Sequence, residues 1–333
     1  MSEIPIIIAR NPGQGSQYQG MGEVAGDCAW AQYTFDEATE ILAKDNRLYE
    51  GSRIDIRWLV TEADDETLAQ NHLTQLAIFA STIAAQRRLS VEQPDMGADI
   101  WAGHSIGEYA GLVDAGVLSF EEALLLVDAR ARYMTSAGDL ARAKGQEGGI
   151  GVVIGDPEAV ERSAGKNDVY IANYNNPKQT GVSGAKDDLA GVKEEFGSRY
   201  IEIPVSEAVH SPFMSWAEYK LRNYIGDGHD FKDPAPETVV LNYTGRFAES
   251  GQEIAQNAPM QVTNPVMWLP GMELALIDYV DHDNAPPVIL LEVGAKMVLS
   301  GIDKHFARSY PNVKIVTFEQ AIKTGLDPES LAA

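Results

Sequence analysis

The sequence is poor in cysteine, in long apolar runs and in basic residues, and each shortage argues against a class of protein. The single cysteine, Cys28, has no partner for a disulfide within the chain, which is typical of a reducing cytosol. No segment approaches the roughly 18 apolar residues that begin to indicate a membrane span. Lysine and arginine number 26 against 49 aspartates and glutamates, for a net charge of −23. A surface this acidic repels phosphate backbones and anionic lipids. We therefore expect neither nucleic acid nor a membrane as a partner.

The amino-terminal segment, MSEIPIIIARNPGQG, has a short apolar run with no basic residues before it. Asn, Pro and Gly follow at once, so the segment predicts a first strand rather than a signal peptide. Of the 333 residues, 44% are hydrophobic and 23% are charged, which indicates a globular chain with one large domain or two smaller ones. We expect a cytoplasmic protein, and a monomer.

Short apolar runs alternate with longer segments that have helical periodicity. The runs at 4–9, 99–102 and 288–294 predict buried strands. Ser119 and Glu122 have the spacing of a capping box, ahead of a helix that we expect to reach about residue 137. Further helices are predicted at about 20–44, 73–89, 106–115, 212–225 and 269–280, and strands at 238–242 and 313–317. The polar segment 46–66 predicts an irregular insertion, and the whole pattern indicates an α/β fold.

The pattern changes from about Gly145 to about residue 205. Strand-like and helical segments follow one another there in the order β-α-β-β-α-β, which is that of a small split-βαβ domain. A domain of this length suits an insertion into a larger α/β domain. We therefore predict a small domain at 139–205 and a large domain formed by 1–138 and 206–333.

The segment Gly103–Gly107 reads G-H-S-I-G and lies between a predicted strand and a predicted helix. In this context G-x-S-x-G indicates a nucleophile elbow, in which a sharp turn exposes the hydroxyl of Ser105. The helix that follows directs its free amides at the serine, and the amide of Ile106 can help to bind an oxyanion. By itself the motif is weak evidence, because glycine and serine are common.

A serine nucleophile needs a base, and six histidines are available. His104 adjoins the serine, but neighbouring side chains diverge in an elbow. His210 follows the end of a predicted strand and precedes a new helix, and catalytic groups of α/β folds gather in such loops. Position alone favours His210 without deciding for it.

Arg130 falls on the apolar stripe of the capped helix, whereas Arg132 lies on another face, four residues after Asp128. A guanidinium on a buried face is costly unless it meets an anion. Two explanations stay open at this point. Arg130 either forms a structural ion pair with an internal carboxylate or binds the carboxylate of a substrate through both of its terminal nitrogens.

The segment GHSIGEYAGLVDAGVLSFEEALLLVDARARYM resembles the malonyl-CoA:acyl carrier protein transacylases and the acyltransferase domains of polyketide synthases. The resemblance extends to PGQGSQYQGMG, HLTQLAIFAS, NYNNPKQTGVSGA, VSEAVHSPFM, LNYTGR, QVTNPVMW and LEVGAKMVLSGI. These blocks occur in the family's order over essentially the whole chain, which is far more specific than any single motif. The resemblance implies a hydrolase-like α/β domain with a parallel sheet and an inserted ferredoxin-like α+β domain.

The resemblance implies a Ser–His dyad, with Ser105 as the acylated nucleophile and His210 as its base. A backbone carbonyl, at the position of Gln261, would orient the histidine in place of a triad aspartate. The backbone amides of Gln14 and Ile106 would form the oxyanion hole. The expected reaction is transfer of a malonyl or other carboxyacyl group from coenzyme A to an acyl carrier protein.

By the same resemblance, Arg130 would bind the free carboxylate of the acyl group, and His104, Asn173 and Asn175 would lie at the substrate. No metal or other cofactor is expected, because the phosphopantetheine arm belongs to the carrier. An acidic carrier would need a local basic patch on so acidic a protein. The candidates for that patch are Arg87, Arg88, Lys44, Arg47, Arg53 and Arg57.

The sequence departs from the family's pattern at four places, none of them in the dyad or at Arg130. Asn11 replaces a phenylalanine, Leu76 replaces a proline, and Ala295 lies where the family has Gly-Pro-Gly-Lys. Glu207-Ala208-Val209 precedes His210 and is not a common malonyl signature, so a longer or branched carboxyacyl group stays open.

Other classes of protein share some of these features. An esterase or thioesterase shares the elbow but has no use for Arg130, and a proofreading hydrolase of the same family is the closer variant. A dinucleotide site would need a glycine at Tyr18, and a non-catalytic docking subunit would not need an intact Ser105 and His210. The cluster 281–283, Asp-His-Asp, predicts a solvated loop rather than a metal site because no second ligand group accompanies it.

Overall fold

The structure, a computed structural model, describes residues 4–280 and 285–325. Its strands are β1 Ile6–Asn11, β2 Leu48–Tyr49, β3 Ser52–Arg53, β4 Ile100–Gly103, β5 Gly148–Ile154, β6 Tyr170–Asn176, β7 Gln179–Ala185, β8 Tyr200–Ile203, β9 Val239–Val240, β10 Val288–Glu292 and β11 Val313–Thr317. Five of them form a parallel sheet in the order β11-β10-β1-β4-β9. This sheet confirms the predicted α/β class.

The helices are α1 Ala29–Lys44, α2 Ile56–Thr61, α3 Asp65–Leu68, α4 Asn71–Glu92, α5 Gly107–Asp114, α6 Phe120–Ala143, α7 Pro157–Lys166, α8 Lys186–Phe196, α9 Ser215–Gly226, α10 Gly251–Met260, α11 Trp268–Leu276, α12 Leu299–Ala307 and α13 Phe318–Thr324. Short 3₁₀ turns lie at Met21–Ala25, Gly197–Arg199, Pro212–Met214 and Ile277–Tyr279. Among the described residues, each helix is too short or too polar to span a membrane.

The parallel sheet is apolar on both faces because helices cover both of them. Side chains of β1 alternate between two buried clusters: Ile7 packs with residues of α1, α4, α5 and α6. Ile8 packs on the other face with Trp268 of α11 and Leu299 of α12. The sheet therefore lies between two helical layers, and Ser105 follows the carboxyl end of β4.

Strands β5 to β8 form a second sheet, which is antiparallel and has the order β6-β7-β5-β8. Helices α7 and α8 cover one of its faces, where Val153 packs against Val160 and Leu189. This is the arrangement that the β-α-β-β-α-β order predicted. This sheet lies within the predicted small domain, 139–205. Helix α6 crosses the predicted boundary at residue 139 and ends at Ala143, so the exact division into two domains stays a prediction.

Several element boundaries differ from those predicted. The capping box of Ser119 and Glu122 is present, but α6 continues well beyond residue 137. The predicted helix at 20–44 is broken after Ala25, where Gly26 has a φ of 52° that a helix does not accommodate. The segment 46–66, predicted as irregular, contains a two-strand hairpin and α2. Helices α10, α12 and α13 were not predicted.

Candidate active site

Ser105 lies in a tight turn between β4 and α5, at the carboxyl edge of the parallel sheet. Its φ of 52° is left-handed, which is uncommon for a residue other than glycine. A Cβ on Gly103 would overlap the backbone of Gly107, and a Cβ on Gly107 would overlap the carbonyl of Asn11. The two glycines are therefore required by close backbone approach, as the elbow motif predicts.

His210 contacts the serine hydroxyl, with 2.8 Å between Ser105 Oγ and His210 Nε2. On its other side, His210 Nδ1 lies 2.8 Å from the backbone oxygen of Gln261. Because that carbonyl can only accept, Nδ1 carries the proton and Nε2 is left as an acceptor for the hydroxyl. Burial, together with the positive charge of Arg130, lowers the pKa of His210 to about 3, so the imidazole is neutral at physiological pH.

The partner of the imidazole is a carbonyl rather than a carboxylate. No aspartate or glutamate of residues 4–280 and 285–325 forms an ion pair with His210. A hydrolase triad places a buried acid at this position. The pair formed by Ser105 and His210 is therefore a dyad, oriented by the backbone of Gln261.

Arg130 is fully buried on α6, and its Nη2 lies 3.1 Å from Ser105 Oγ. The same nitrogen donates to the side-chain oxygen of Gln261 at 2.9 Å, and Nη1 donates to that of Gln75. The face of Tyr109 lies beside the guanidinium, 5.6 Å from its central carbon. The sequence placed Arg130 on a buried face, and the predicted pair of Arg132 with Asp128 on another face is present at 2.8 Å.

The groups that hold Arg130 are neutral. Within the described part of the chain, no carboxylate lies within 4.0 Å of its guanidinium, so the internal ion pair that the sequence left open is not found. Burial lowers the pKa of Arg130, which is the expected effect on an unpaired cation. Burial also raises the pKa of the nearby Glu108 to about 7, although Arg130 opposes that rise. Arg130 is therefore a buried positive charge without a carboxylate partner among the described residues, and binding of one anion beside it would neutralise that charge.

Gln261 contacts Ser105, His210 and Arg130. Its backbone oxygen accepts from His210, its side-chain oxygen accepts from Arg130, and its Nε2 donates to the backbone oxygen of Ser105 at 3.1 Å. The sequence identified only the backbone of Gln261, because a side-chain contact depends on tertiary geometry.

Gln14 and Ile106 are the two residues whose backbone amides were expected to bind an oxyanion. Among the described residues, neither the amide of Gln14 nor that of Ile106 donates a hydrogen bond to the protein. Gln14 lies in the loop after β1, beside the serine's cavity, and its side chain donates to Asn71 at 2.9 Å. Ile106 precedes the first turn of α5. Free amides at such positions can bind a developing oxyanion.

The serine opens into a cavity of about 470 Å³ between the two sheets. Apolar side chains of β5 and β8 form one wall, and the start of α12 forms another. Asn173 and Asn175 also line the cavity, as does His104, whose Nε2 lies 3.0 Å from the side-chain oxygen of Asn175. The structure thus brings every predicted site residue to this cavity or to the buried shell beneath it.

Three further residues at the site were not predicted: Gln75, Glu108 and Asn242. Gln75 and Glu108 lie within the quoted motifs HLTQLAIFAS and GHSIGEYA, and both are buried polar residues on helices, which is the signal that could have identified them. Asn242 follows β9, and its side chain accepts from the backbone amide of Ser105 at 2.6 Å. Asn242 lies in the motif LNYTGR and is likewise buried, but its contact with Ser105 joins segments distant in sequence and depends on the tertiary fold.

Three of the four departures from the family's pattern do not line the cavity of Ser105, whereas Val209 of the fourth does. Asn11 is buried and donates to the backbone of Val293 at 3.2 Å, and Leu76 is a core residue of α4. The oxygen of Ala295 accepts from the hydroxyl of Tyr18 at 3.1 Å.

Most of the candidate basic patch is already paired. Arg57 binds Asp36, Arg87 binds Glu37, Arg88 binds Glu92, and Arg47 binds Asp45 and Asp128.

The Asp-His-Asp cluster at 281–283 lies outside the described residues. Within the described ranges, no group of three or more His, Cys, Asp or Glu side chains is arranged to hold a metal ion.

Comparison with known proteins finds a family model described as "Acyl transferase domain", which matches residues 11–254. The malonyl CoA-acyl carrier protein transacylase of Bacillus subtilis (strain 168) is 31% identical over 97% of this chain and 98% of its own length. The transacylase of the same name from Haemophilus influenzae is also 31% identical, over 88% of this chain and 89% of its own.

Solved structures give the same result. The malonyl CoA-acyl carrier protein transacylase of Coxiella burnetii superimposes with a TM-score of 0.81 at 27% identity, over 100% of this chain and 98% of that one. A malonyl-transacylase in complex with its type II PKS acyl-carrier protein superimposes with a TM-score of 0.80 at 28% identity, over 96% and 99% of the two chains.

Proposed function

Because this chain belongs to the acyl transferase domain family, we propose that it moves a malonyl group from coenzyme A to the phosphopantetheine thiol of an acyl carrier protein, through an ester on Ser105. The reaction uses side chains and backbone groups of the protein and no metal or redox cofactor. The single cysteine, Cys28, is buried and free, which agrees with the reducing cytoplasm that we propose for the enzyme.

The observation that carries the proposal is the position of Arg130. Its guanidinium is wholly buried and lies 3.1 Å from Ser105 Oγ, and its direct hydrogen-bond acceptors in the described protein are neutral. A buried cation without an anion costs several kcal/mol. A malonyl group on Ser105 would offer its free carboxylate to this cation, and an acetyl group would not. The arrangement therefore favours a short acyl group with a carboxylate at its far end.

Acylation begins when Ser105 transfers its proton to Nε2 of His210 and its oxygen attacks the thioester carbonyl. The amides of Gln14 and Ile106 are proposed to bind the resulting oxyanion, and each such donor lowers the barrier by roughly 3 kcal/mol in comparable enzymes. His210 then protonates the departing thiolate of coenzyme A. The carbonyl of Gln261 keeps the imidazole in the required tautomer throughout.

Transfer to the carrier reverses these steps. The phosphopantetheine thiol enters, His210 takes its proton, and the thiolate attacks the ester on Ser105 in a ping-pong cycle. A serine ester and a thioester are close in energy, so the reaction runs in both directions. Water must be excluded from the ester, and the buried apolar side chains of Ile150, Val205 and Val209 along the cavity support that requirement.

The length of the acyl group stays open in this proposal. Val209 precedes the catalytic histidine in the stretch that departs from the common malonyl signature, and it lines the cavity. Glu207 of the same stretch is 2% exposed and lies beside Gly138 of α6 rather than along the cavity. A branch on the acyl group would therefore meet Val209, so a panel of coenzyme A thioesters decides between malonyl and a branched carboxyacyl group.

The outer face of α12 is the surface that we propose for the carrier. Lys304, His305 and Arg308 are exposed there, and no acidic group of the described residues forms an ion pair with any of them. The first turn of the same helix lines the cavity through Leu299 and Gly301. An acidic carrier bound to this face would have its thiol arm next to the entrance, which favours it over the largely paired cations on α1 and α4.

The test is intact-mass spectrometry after incubation with malonyl-CoA. The wild-type protein should gain the mass of one malonyl group, and Ser105→Ala should gain nothing. Ser90→Ala, which removes an exposed hydroxyl from α4, is the matched control and should be labelled normally. Addition of a carrier protein should then move the label to the carrier. Release of free malonate without carrier labelling would assign hydrolysis instead, and a labelled Ser105→Ala would move the nucleophile elsewhere.

A further inference from the structure

The nucleophile elbow is held by a side chain from another part of the sheet. The side-chain oxygen of Asn242 accepts from the backbone amide of Ser105 at 2.6 Å. Its Nδ2 donates to the backbone oxygen of Gly103. One carboxamide thus bridges the residues before and after His104, across the sharpest part of the turn.

The elbow needs such a contact for two reasons. Ser105 has a left-handed φ of 52°, a conformation that for most side chains costs on the order of 1 kcal/mol. Its amide also precedes α5, so the helix offers it no acceptor. Ser105 is 6% exposed, and a buried amide without a partner would favour a different backbone path. The carboxamide of Asn242 satisfies this amide only while the turn keeps its shape.

Asn242 is itself fixed from two directions. Its backbone amide donates to Oε2 of Glu108 at 2.6 Å, and its backbone oxygen accepts from Met267 at 2.8 Å. Glu108 lies one helical turn after Ser105 on α5 and is 4% exposed. The contacts therefore form a closed ring from the serine, along the first turn of α5, through Glu108 and Asn242, and back to the serine amide.

We propose that Asn242 is a positioning residue for the Ser105 nucleophile and that Glu108 holds it in place. This role rests on the proposed function only where malonyl transfer is the quantity measured. The positioning itself concerns the direction from which the Ser105 hydroxyl attacks. Ser105 Oγ lies 2.8 Å from His210 and 3.1 Å from Arg130, and a turn that relaxes moves it relative to both. A misplacement of about 1 Å can cost on the order of 10²-fold in rate.

The first test replaces Asn242 with leucine, which has a similar size and neither hydrogen-bonding group. The kcat of malonyl transfer should fall by about 10²-fold, while the KM for malonyl-CoA stays within about threefold of wild type. Val240→Ala, in the core of the adjoining strand, is the matched control. It should lower the melting temperature without a comparable fall in kcat, which separates positioning from loss of stability.

The second test uses Glu108 and does not depend on the folding of Asn242 variants. Glu108→Gln keeps an oxygen that can accept from the Asn242 amide, whereas Glu108→Leu removes it. The glutamine variant should retain a kcat within about threefold of wild type, and the leucine variant should lose at least about tenfold. Rescue by the conservative variant identifies the hydrogen bond, rather than the volume of the side chain, as the cause.

A third readout is independent of malonyl transfer. An aryl sulfonyl fluoride modifies activated serines, and its rate of reaction with Ser105 reports the hydroxyl's reactivity directly. The rate of modification should fall in Asn242→Leu and in Glu108→Leu. It should stay close to the wild-type rate in Val240→Ala and Glu108→Gln. If wild type reacts with the probe but transfers no malonyl group, the proposed function fails while the positioning role is still tested. A folded Asn242→Leu with wild-type probe and transfer rates would overturn the inference.

Discussion

Arg130 Nη2 and Ser105 Oγ lie 3.1 Å apart, with the guanidinium wholly buried. The guanidinium and the hydroxyl are therefore direct neighbours: Ser105 lines the cavity and Arg130 is buried behind it. Because the direct acceptors of Arg130 in the described residues are neutral, the cation is oriented without being neutralised.

A carboxylate introduced beside Arg130 should compete with the substrate. Gln75→Glu keeps the length of the side chain and places an anion where the guanidinium now has a neutral acceptor. The KM for malonyl-CoA should rise by about tenfold or more, because the cation is already paired. Steady-state kinetics measure this effect. Gln70→Glu, at the exposed start of the same helix, is the control and should leave the KM unaltered. An unchanged KM in Gln75→Glu would contradict the role given to neutral acceptors.

The rate of acylation should not show the ordinary titration of a histidine. Burial and Arg130 lower the pKa of His210 to about 3, so the imidazole stays neutral and able to accept a proton far below pH 6.5. Single-turnover labelling of Ser105 should therefore be nearly flat between about pH 5 and pH 8. Glu108 titrates in the same range, so the profile is compared with that of Glu108→Gln. A tenfold loss on acidification that persists in this variant would contradict a buried, neutral His210.

The stability of the protein should depend on pH through Glu108. Burial raises the pKa of its carboxyl from 4.5 to about 7, so between these values the folded state binds a proton that the unfolded state has lost. By linkage, this contribution to stability is complete below 4.5 and is lost as the pH rises through about 7. Glu108→Gln removes the titration. Melting temperatures of the variant, relative to wild type, should therefore increase from acidic to neutral pH, and a constant difference would count against the shift.

Charge reversal on the cationic face of α12 should change the KM for the carrier protein more than the KM for the coenzyme A thioester. Lys304→Glu and Arg308→Glu, made as separate variants, each reverse one exposed charge without altering the cavity wall. The KM for the acyl carrier protein should rise about fivefold or more at low salt, and the effect should weaken as salt is added. Lys44→Glu, an equal change of charge at the end of α1, is the control. A larger effect at Lys44 than on α12 would place the docking surface elsewhere.

Local patterns predicted the elements that depend on local chemistry. The capping box of Ser119 and Glu122 marked the start of α6, and the glycines of the elbow marked the turn at Ser105. Sequence order also predicted the small antiparallel sheet, because the β-α-β-β-α-β pattern has few compact arrangements. The apolar stripe of α6 placed Arg130 on a buried face before any contact was known.

The rest depended on contacts between distant segments. Helix α12 was missed because Asp303 interrupts its apolar stripe, and that carboxylate is buried only because Arg10 and Trp268 bind it. Likewise Asn242 lies 137 residues from the serine whose amide it accepts. Residue types alone could not separate the two explanations for Arg130, because they differ in what lies opposite the guanidinium.

The most direct test of the account is the ratio of malonyl to acetyl transfer in Arg130→Ala, measured by intact-mass labelling of Ser105 with each coenzyme A thioester. The ratio should fall by about 10²-fold or more, with acetyl labelling retained or increased, because the variant no longer has a buried cation that requires a carboxylate. Arg132→Ala, on the same helix but paired with Asp128, should keep the wild-type ratio. A wild-type ratio in Arg130→Ala would contradict the assignment of this residue to the substrate's carboxylate.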